Sequence, residues 1–140
     1  MSISKHITIE EATFSQKAHD NKISNIPNQE QLEAMELVAE KLFEPLRNWY
    51  SKPIRINSFY RSPEVNKLVK GAKNSNHLRG EAIDLTGGSR VENKKLFDWC
   101  CKNFTDFDEI IFEYGDATGP DWCHISYKKT GNRKKIIHIK

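Results

Sequence analysis

The order in which helices and strands are predicted limits the fold of this chain more than any other feature. Helical patterns and isolated strands fill the first two thirds. Three predicted strands, DEIIFEY, WCHISY and KKIIHIK, then follow one another, separated by glycine-containing turns. Strand and helix therefore do not alternate regularly. We expect an α+β fold with a mainly antiparallel sheet and helices packed on one side.

Apolar periodicity predicts the clearest helix after Asn28. Its stripe recurs at alternating steps of three and four residues and consists of Leu32, Met35, Ala39, Leu42 and Leu46. We expect Pro45 to kink or end this helix, because proline lacks the backbone N–H that the helix needs. A first helical turn is predicted earlier, within residues 8–14.

Two further helices are predicted from the residues that would begin them. Ser62 can cap a short helix that Pro63 opens. Ser89 and Glu92 have the spacing of a capping box for a later helix. Between these helices, the segments IRINSFY and EAIDL read as strands, because apolar and polar residues alternate in them.

Length and composition indicate a soluble globular chain with one domain over residues 1–140. Hydrophobic residues make up 37% and charged residues 29%, which disfavours disordered and fibrous classes. No segment approaches the roughly 18 apolar residues of a membrane span, and the start, MSISKHITIE, lacks a signal-peptide run. We expect a monomer made in the cytoplasm, with no membrane insertion.

Charge and cysteine content add little about partners. The net charge is +3, with much of the excess after residue 127, and we interpret this as a solvated surface rather than a nucleic-acid site. The three cysteines, Cys100, Cys101 and Cys123, have no disulfide-framework spacing. We expect them to be reduced, with the adjacent pair on the apolar face of a helix.

Two segments concentrate metal-ligand residue types, SNHLRGEAID at residues 75–84 and DWCH at residues 121–124. Histidine nitrogens and carboxylate oxygens suit zinc, and a catalytic zinc takes three protein ligands with a fourth position open. Strand alternation places Asp84 opposite Ile83 and Leu85. It also places His124 opposite Cys123, so we expect His124 to meet Asp84 across neighbouring strands while Cys123 packs inward.

Asp121 lies three residues before His124, a spacing that would put the two side chains on opposite faces of an unbroken strand. Gly119 and Pro120 precede it and indicate a turn. We therefore expect Asp121 to lie in irregular backbone and to face the same pocket. A carboxylate close to the metal, but not bound to it, can take a proton from the attacking water and pass it to the leaving amine.

With these segments, the sequence resembles the zinc D-alanyl-D-alanine carboxypeptidases and L-alanyl-D-glutamate endopeptidases, a family that shares its fold with the hedgehog signalling domain. Residues 75–84 match its SxHxxGxAxD signature, and DWCH resembles its second motif. An upstream Tyr-Arg-Ser segment is matched by residues 60–62. The resemblance runs from about residue 7 to residue 127 and is closest to small phage and prophage members, some of which are endolysins.

The resemblance implies a zinc cofactor, with His77, Asp84 and His124 as its ligands and Asp121 as the catalytic base. Many relatives carry glutamate at the position of Asp121, whereas the endopeptidase-like members also use aspartate. The substrate implied is a peptidoglycan stem peptide. The protein would then reach the cell wall after release or export.

Three further residues gain roles from the same resemblance. Arg61 would hold a substrate carboxylate or polarise the scissile carbonyl, a task suited to a fork-shaped cation. Ser75 would support the ligand loop. Contacts to the substrate would come from Tyr60, Arg61 and Ser75.

Several alternatives stay open at this point. The fold could serve as a non-catalytic zinc module that binds the cell wall or forms part of a phage particle. A metal nuclease would need phosphate-binding groups that the sequence does not show. His138, in the terminal strand, is the rival of His124 as a ligand. The sequence does not choose between the two peptide bonds, nor among an endolysin, a virion component and a host recycling enzyme.

Overall fold

The computed structural model describes residues 2–140 and is built around a five-stranded sheet. Its strands are β3 (Arg55–Ser58), β4 (Ala82–Thr86), β5 (Glu109–Glu113), β6 (Trp122–Ser126) and β7 (Lys135–Ile139). The spatial order is β3-β4-β6-β5-β7. Neighbours are antiparallel except β5 and β7, which run parallel. The α+β expectation is confirmed. Two short strands, β1 (Ser2–Ser4) and β2 (Ile7–Thr8), form a separate pair near the start of the chain.

Helices precede and interrupt these strands. They are α1 (Ile9–Thr13), α2 (Gln16–Asp20), α3 (Gln29–Val38), α4 (Glu44–Tyr50), α5 (Pro63–Leu68) and α6 (Arg90–Asn103). A π-helical turn (Ala39–Phe43) joins α3 to α4, and a 3₁₀-helix (Asn76–Arg79) precedes β4. No helix within residues 2–140 has the length and apolar character needed to cross a membrane.

Of the two effects expected of Pro45, an end to the helix at this residue is wrong. Helical backbone continues from α3 through the π-turn into α4, and Pro45 lies in the first turn of α4. The N–H of Glu44 bonds to the carbonyl of Ala39, five residues back. This wider turn lies immediately before the proline. The helical hydrogen-bond pattern therefore shifts by one residue there, and the helix continues.

The capping box predicted at the start of α6 is half formed. Ser89 accepts a hydrogen bond from the backbone N–H of Glu92, as expected. The Glu92 carboxylate, however, bonds to Tyr50, Lys52 and Lys95 instead of returning to the cap. Its charge therefore ties α6 to the end of α4, and only the serine stabilises the helix terminus.

One face of the sheet packs against α3, α4 and α6. The sheet contributes Ile83, Leu85, Ile110, Cys123 and Ile125, all buried, to this core. The helices contribute Met35, Leu42, Leu46, Leu96, Phe97 and Cys100. Because side chains alternate along a strand, the residues between these sheet positions point to the opposite face. That face is free of the large helices and carries the polar residues of the candidate site.

Candidate metal centre and its cleft

An open cleft of about 1150 Å³ lies on the face of the sheet away from the core helices. The strands supply its floor, with Asp84, Ile111 and His124 at its centre. The 3₁₀-helix and the loop after α5 form one wall. Its volume exceeds the roughly 300–1000 Å³ typical of small-ligand pockets, so the cleft has room for an extended ligand.

His77 is held in one orientation by the 3₁₀-helix. Ser75 Oγ accepts a hydrogen bond from the backbone N–H of His77 (3.2 Å) at the start of this helix. His77 Nδ1 lies 2.8 Å from the carbonyl oxygen of Phe59. A carbonyl can only accept a hydrogen bond, so Nδ1 carries the proton. Nε2 therefore keeps its lone pair for a metal.

Asp84 and His124 face each other across β4 and β6, where they are direct partners in the antiparallel register. His124 Nδ1 lies 2.9 Å from Asp84 Oδ1, and His77 Nε2 lies 3.1 Å from Asp84 Oδ2. The candidate ligand atoms of the three residues all lie within 4.8 Å of one another. The structure thus brings the three predicted ligands together, as strand alternation predicts for Asp84 and His124.

The three residues fit a zinc ion by their chemistry as well as their positions. His77 Nε2 is buried and has no hydrogen-bond partner within residues 2–140, since its 3.1 Å contact with Asp84 lacks hydrogen-bond geometry. A buried polar atom without a partner is uncommon and costly. A metal bond to Nε2 would satisfy it. Two imidazoles and one carboxylate are also a donor set that leaves a catalytic zinc its open position.

Burial and hydrogen bonding shift the pKa values of Asp84 and His124 in opposite directions. Burial alone would raise the pKa of Asp84, but the nearby His77 and His124 rings and the hydrogen bond with His124 hold it well below its ordinary value. Burial alone would lower the pKa of His124, whereas the hydrogen bond with Asp84 and its charge raise it. The hydrogen bond with His124 thus stabilises the buried carboxylate of Asp84. Metal and proton compete for the same atoms.

Arg61 lies beside the metal centre with unused hydrogen-bond donors. Its Nη1 donates to Asn66 Oδ1 (3.1 Å), and Nη2 lies 4.0 Å from Asp84 Oδ2. Its Nε is buried and has no partner within residues 2–140. Burial lowers the pKa of the guanidinium, although Asp84 and Glu113 raise it, and arginine stays charged in either case. The free donors suit an incoming carboxylate or carbonyl oxygen.

Tyr60 and Ser75 both line the cleft, as the predicted substrate contacts require. Tyr60 is buried, and this burial raises the pKa of its phenol. Ser75 uses its hydroxyl oxygen to cap the 3₁₀-helix, which agrees with a supporting role for the ligand loop. Their contacts to a substrate remain predictions.

Asp121 lies outside the cleft. Its backbone N–H bonds to the carbonyl of Glu113 (2.9 Å), but the residue itself lies in a bend between the turn at residues 116–119 and the start of β6. Its side chain accepts a hydrogen bond from Arg90 Nε (2.9 Å) at the start of α6. The irregular backbone expected at this residue is confirmed, but its side chain does not line the cleft as expected. Asp121 as the base therefore remains a prediction that has no contact with the metal centre to support it.

Glu113 is a carboxylate in the cleft that the sequence interpretation missed. It lines the cleft at the end of β5, and its Oε2 accepts a hydrogen bond from Trp122 Nε1. Burial raises its pKa, and the negative charge of Asp84 raises it further. Alternation within DEIIFEY puts Glu113 on the same face as Ile111. That signal became informative only once Ile111 was known to pair with His124.

A second missed residue is Asp108, which is fully buried at the start of β5. Arg133 donates two hydrogen bonds to its two oxygens, at 2.9 and 2.8 Å. Asn76 Nδ2 donates a third, at 3.2 Å. Because Asn76 is the residue before His77, Asp108 anchors the ligand-bearing 3₁₀-helix to the sheet.

Neither Cys123 nor His138, the rival ligand named from the sequence, lines the cleft. Cys123 packs in the core, and its thiol donates to the carbonyl of Asn93. His138 stacks on Phe112 with ring centroids 4.7 Å apart, and its ring also contacts Phe97 on α6. Both therefore lie on the helix side of the sheet.

Comparison with known proteins agrees with this geometry. A search among curated proteins found no significant match. The family model described as peptidase M15 matches residues 5–126. This range contains the 3₁₀-helix, the three candidate ligands and the strands that position them. By this match the chain belongs to the peptidase M15 family.

Proposed function

We propose that this chain is a zinc metallopeptidase that hydrolyses an amide bond in the stem peptides of bacterial peptidoglycan. Membership of the peptidase M15 family supports hydrolysis of a peptide. The convergence of His77, Asp84 and His124 on one buried point is the observation that carries the metal assignment. The resemblance of residues 75–84 and 121–124 to enzymes that cut wall peptides supports the substrate.

The ligand set leaves the metal strongly electrophilic. When bound, zinc would supply Lewis-acid chemistry, lowering the pKa of water from about 15.7 toward about 7 and polarising the scissile carbonyl. Two neutral imidazoles and one carboxylate cancel only one of its two charges. Phe59 keeps the proton of His77 on Nδ1 and so fixes the imidazole in its ligand form.

Arg61 supports the same reaction from the edge of the metal centre. Its unpaired Nε and its position beside Asp84 leave a fixed cation where negative charge develops on the scissile oxygen. The same cation could instead hold a terminal carboxylate of the substrate. Either contact is a charge-assisted hydrogen bond, which contributes roughly 1.5–3 kcal/mol.

The cleft also suits an anionic peptide in size and charge. Lys17, Arg55 and Lys70 line it and are exposed, and none forms an ion pair within residues 2–140. Stem peptides carry free carboxylates that such groups attract. Two bonds are candidates for cleavage. One joins L-alanine to D-glutamate, and the other joins the terminal D-alanine to the rest of the peptide.

A non-catalytic zinc module that binds the wall is the second candidate. The position of Asp121 outside the cleft favours it, because the predicted base then has no route to the metal centre. Such a module would bind peptidoglycan and zinc but release no fragments. The same experiment separates the two functions.

The experiment is mass spectrometry of purified stem peptides after incubation with the zinc-loaded protein. We expect new fragments whose masses identify the cleaved bond. Matched samples contain chelator-treated protein and the His77→Ala variant, in which the fragments should be absent. The peptidase proposal fails if the protein holds one zinc per chain and leaves every peptide intact. Retention on insoluble peptidoglycan in that case would support the wall-binding module.

A further inference from the structure

The alternation of β5 places Glu113 on the same face of the sheet as the metal centre. Ile111 pairs directly with His124, and Glu113 pairs with Trp122 in the next position. Glu113 is therefore a diagonal neighbour of His124. Backbones of such neighbours are about 7–8 Å apart, within reach of a long side chain. The glutamate side chain also lines the cleft that contains Asp84 and His124.

Trp122 fixes the direction of the Glu113 carboxylate. Its indole Nε1–H donates to Oε2, and no hydrogen bond to Oε1 occurs within the described residues. Tyr114 packs against the indole with ring centroids 5.3 Å apart, which restrains Trp122 in turn. One carboxylate oxygen is thus held, while the other is free to act as an acceptor in the cleft.

Two other carboxylates, one on β5 and one just before β6, are already engaged by arginines. Asp121 pairs with Arg90 outside the cleft, and its side chain is 39% exposed. Glu109 shares the face of Glu113 but lies on the other side of Ile111, where Arg133 Nη2 is 3.4 Å from its Oε1. Of the carboxylates that the sheet strands contribute to the cleft, Glu113 is the one that is neither a candidate metal ligand nor paired with an arginine within residues 2–140. Glu11 also lines the cleft, but it belongs to α1 and its carboxylate accepts hydrogen bonds from Thr8.

We propose that Glu113 is the general base of the peptidase reaction. This inference rests on the proposed function. Glu113 would take a proton from the water as the water oxygen bonds to the scissile carbon. It would return that proton to the amide nitrogen as the carbon–nitrogen bond breaks, so that a carboxylic acid and an amine are released and Glu113 is regenerated. Trp122 acts as a positioning residue.

The first test compares Glu113→Gln with two other single variants on stem peptides, each checked for one zinc per chain. Glu113→Gln should lower kcat by about 10²–10⁴-fold, with KM and zinc affinity changed less than about threefold. Glu109→Gln is the matched control, because it removes the same charge from the same face of the same strand. It should retain kcat within about threefold. Asp121→Asn tests the rival assignment of the base.

A second readout does not depend on the substrate. Acetohydroxamic acid gives up a proton when it binds a zinc centre, and a neighbouring base accepts that proton. Its affinity for the zinc-loaded protein, measured by calorimetry, should fall at least about tenfold in Glu113→Gln. The affinity should stay within about threefold in Glu109→Gln. This arm tests Glu113 even if stem peptides prove not to be the substrate.

The outcomes are distinct. Loss of kcat and of hydroxamate affinity in Glu113→Gln, with zinc retained, supports the proposal. Wild-type kcat in Glu113→Gln, or the same losses in Asp121→Asn instead, overturns it. If Glu113→Gln does not fold, Trp122→Phe replaces it, because this change removes the N–H that orients the carboxylate. A kcat unchanged in Trp122→Phe and abolished in Asp121→Asn would equally reject Glu113.

Discussion

At the scale of single residues, Asp84 is the group on which metal and fold depend together. Each of its oxygens faces one histidine, at 2.9 and 3.1 Å. Burial of a carboxylate is tolerated only where positive charge compensates it. The hydrogen bond with His124 stabilises this carboxylate, and a bound metal would add positive charge beside it. Removing the charge of Asp84 should therefore affect metal binding far more than folding.

We expect Asp84→Asn to lower zinc affinity on the order of 100-fold or more. The amide keeps the shape of the side chain, but it carries no charge and is a poor zinc ligand. The measurement is zinc content by elemental analysis after dialysis at micromolar zinc, with circular dichroism to verify the fold. Retention of one zinc per chain by folded Asp84→Asn would contradict the ligand assignment.

Asp108 offers a prediction about stability and pH. Burial would raise its pKa, but the hydrogen bonds from Arg133 and Asn76 lower it from 3.8 to about 2. A carboxyl group with a depressed pKa stabilises the fold above its unfolded-state pKa, near 4. That stability is lost as the pH falls through about 2. We expect Asp108→Asn to lower the free energy of unfolding at pH 7 on the order of 2 kcal/mol.

Urea unfolding between pH 2 and pH 7 measures this difference. The gap between wild type and Asp108→Asn should narrow as the pH falls from 4 to 2. Asp98→Asn is the control, because Asp98 forms an exposed pair with Lys94 that contributes little. A gap that does not change with pH would mean that Asp108 acts through packing rather than charge.

The convergence of the three candidate ligands could be predicted from the sequence because it depends on local spacing and strand alternation. His77 precedes β4 by a fixed short loop, and Asp84 and His124 each need only the parity of their own strand. The irregular backbone predicted at Asp121 is present, but its side chain pairs with Arg90 outside the cleft, and no local pattern encodes that contact. The role proposed for Glu113 depends on which strand lies beside β6, and no local pattern encodes that.

At the scale of elements, the 3₁₀-helix that carries His77 depends on the glycine that ends it. Gly80 has a φ of +73°, a conformation that L side chains disfavour. A Cβ at this position would also lie 2.8 Å from the carbonyl oxygen of Gln31 and 2.7 Å from Met35 Cγ. The end of the 3₁₀-helix therefore packs directly on α3, and no side chain fits between them.

We expect Gly80→Ala to lower the free energy of unfolding by about 2–4 kcal/mol, from backbone strain together with the contact with α3. Gly131→Ala is the matched control, because Gly131 has a similar φ of +78° with no atom near its added Cβ. That variant should lose about 1 kcal/mol from strain alone. Thermal and urea unfolding of both variants provide the comparison. Equal losses would show that the contact with α3 contributes nothing.

Helices and strands with a long apolar periodicity or a clear cap were predicted correctly. Elements whose formation depends on a few tertiary contacts were not. The α6 start and the three late strands follow from caps and alternation. The π-turn before Pro45 could not be predicted, because no local sequence pattern distinguishes it from a continuing α-helix. The short α2 and the β1–β2 pair also lack a periodic signal, since elements of two to five residues are stabilised mainly by their neighbours.

At the scale of the whole molecule, one face of the sheet forms the hydrophobic core and the other carries the candidate metal centre. The α+β class and the antiparallel character were predictable, because strands near in sequence usually pair. The order β3-β4-β6-β5-β7 was not, nor was the parallel pairing of β7 with β5. The strand order and the parallel pairing depend on connections between strands that are distant in sequence. The consequence is that the three ligands come from separate parts of the chain, on the 3₁₀-helix, β4 and β6.

A metal held by these three segments should stabilise the whole fold, because the ligands converge only when the chain is folded. A ligand that binds only the folded state at about 1000 times its Kd adds about 4 kcal/mol. We therefore expect chelation to lower the Tm by about 10–20 °C relative to zinc-saturated protein. Calorimetric scans with and without chelator measure the shift. The His77→Ala variant, which lacks one ligand, should show little or no shift. An equal shift in that variant would mean that zinc stabilises the protein at a different place, and the metal centre on this face of the sheet would have to be abandoned.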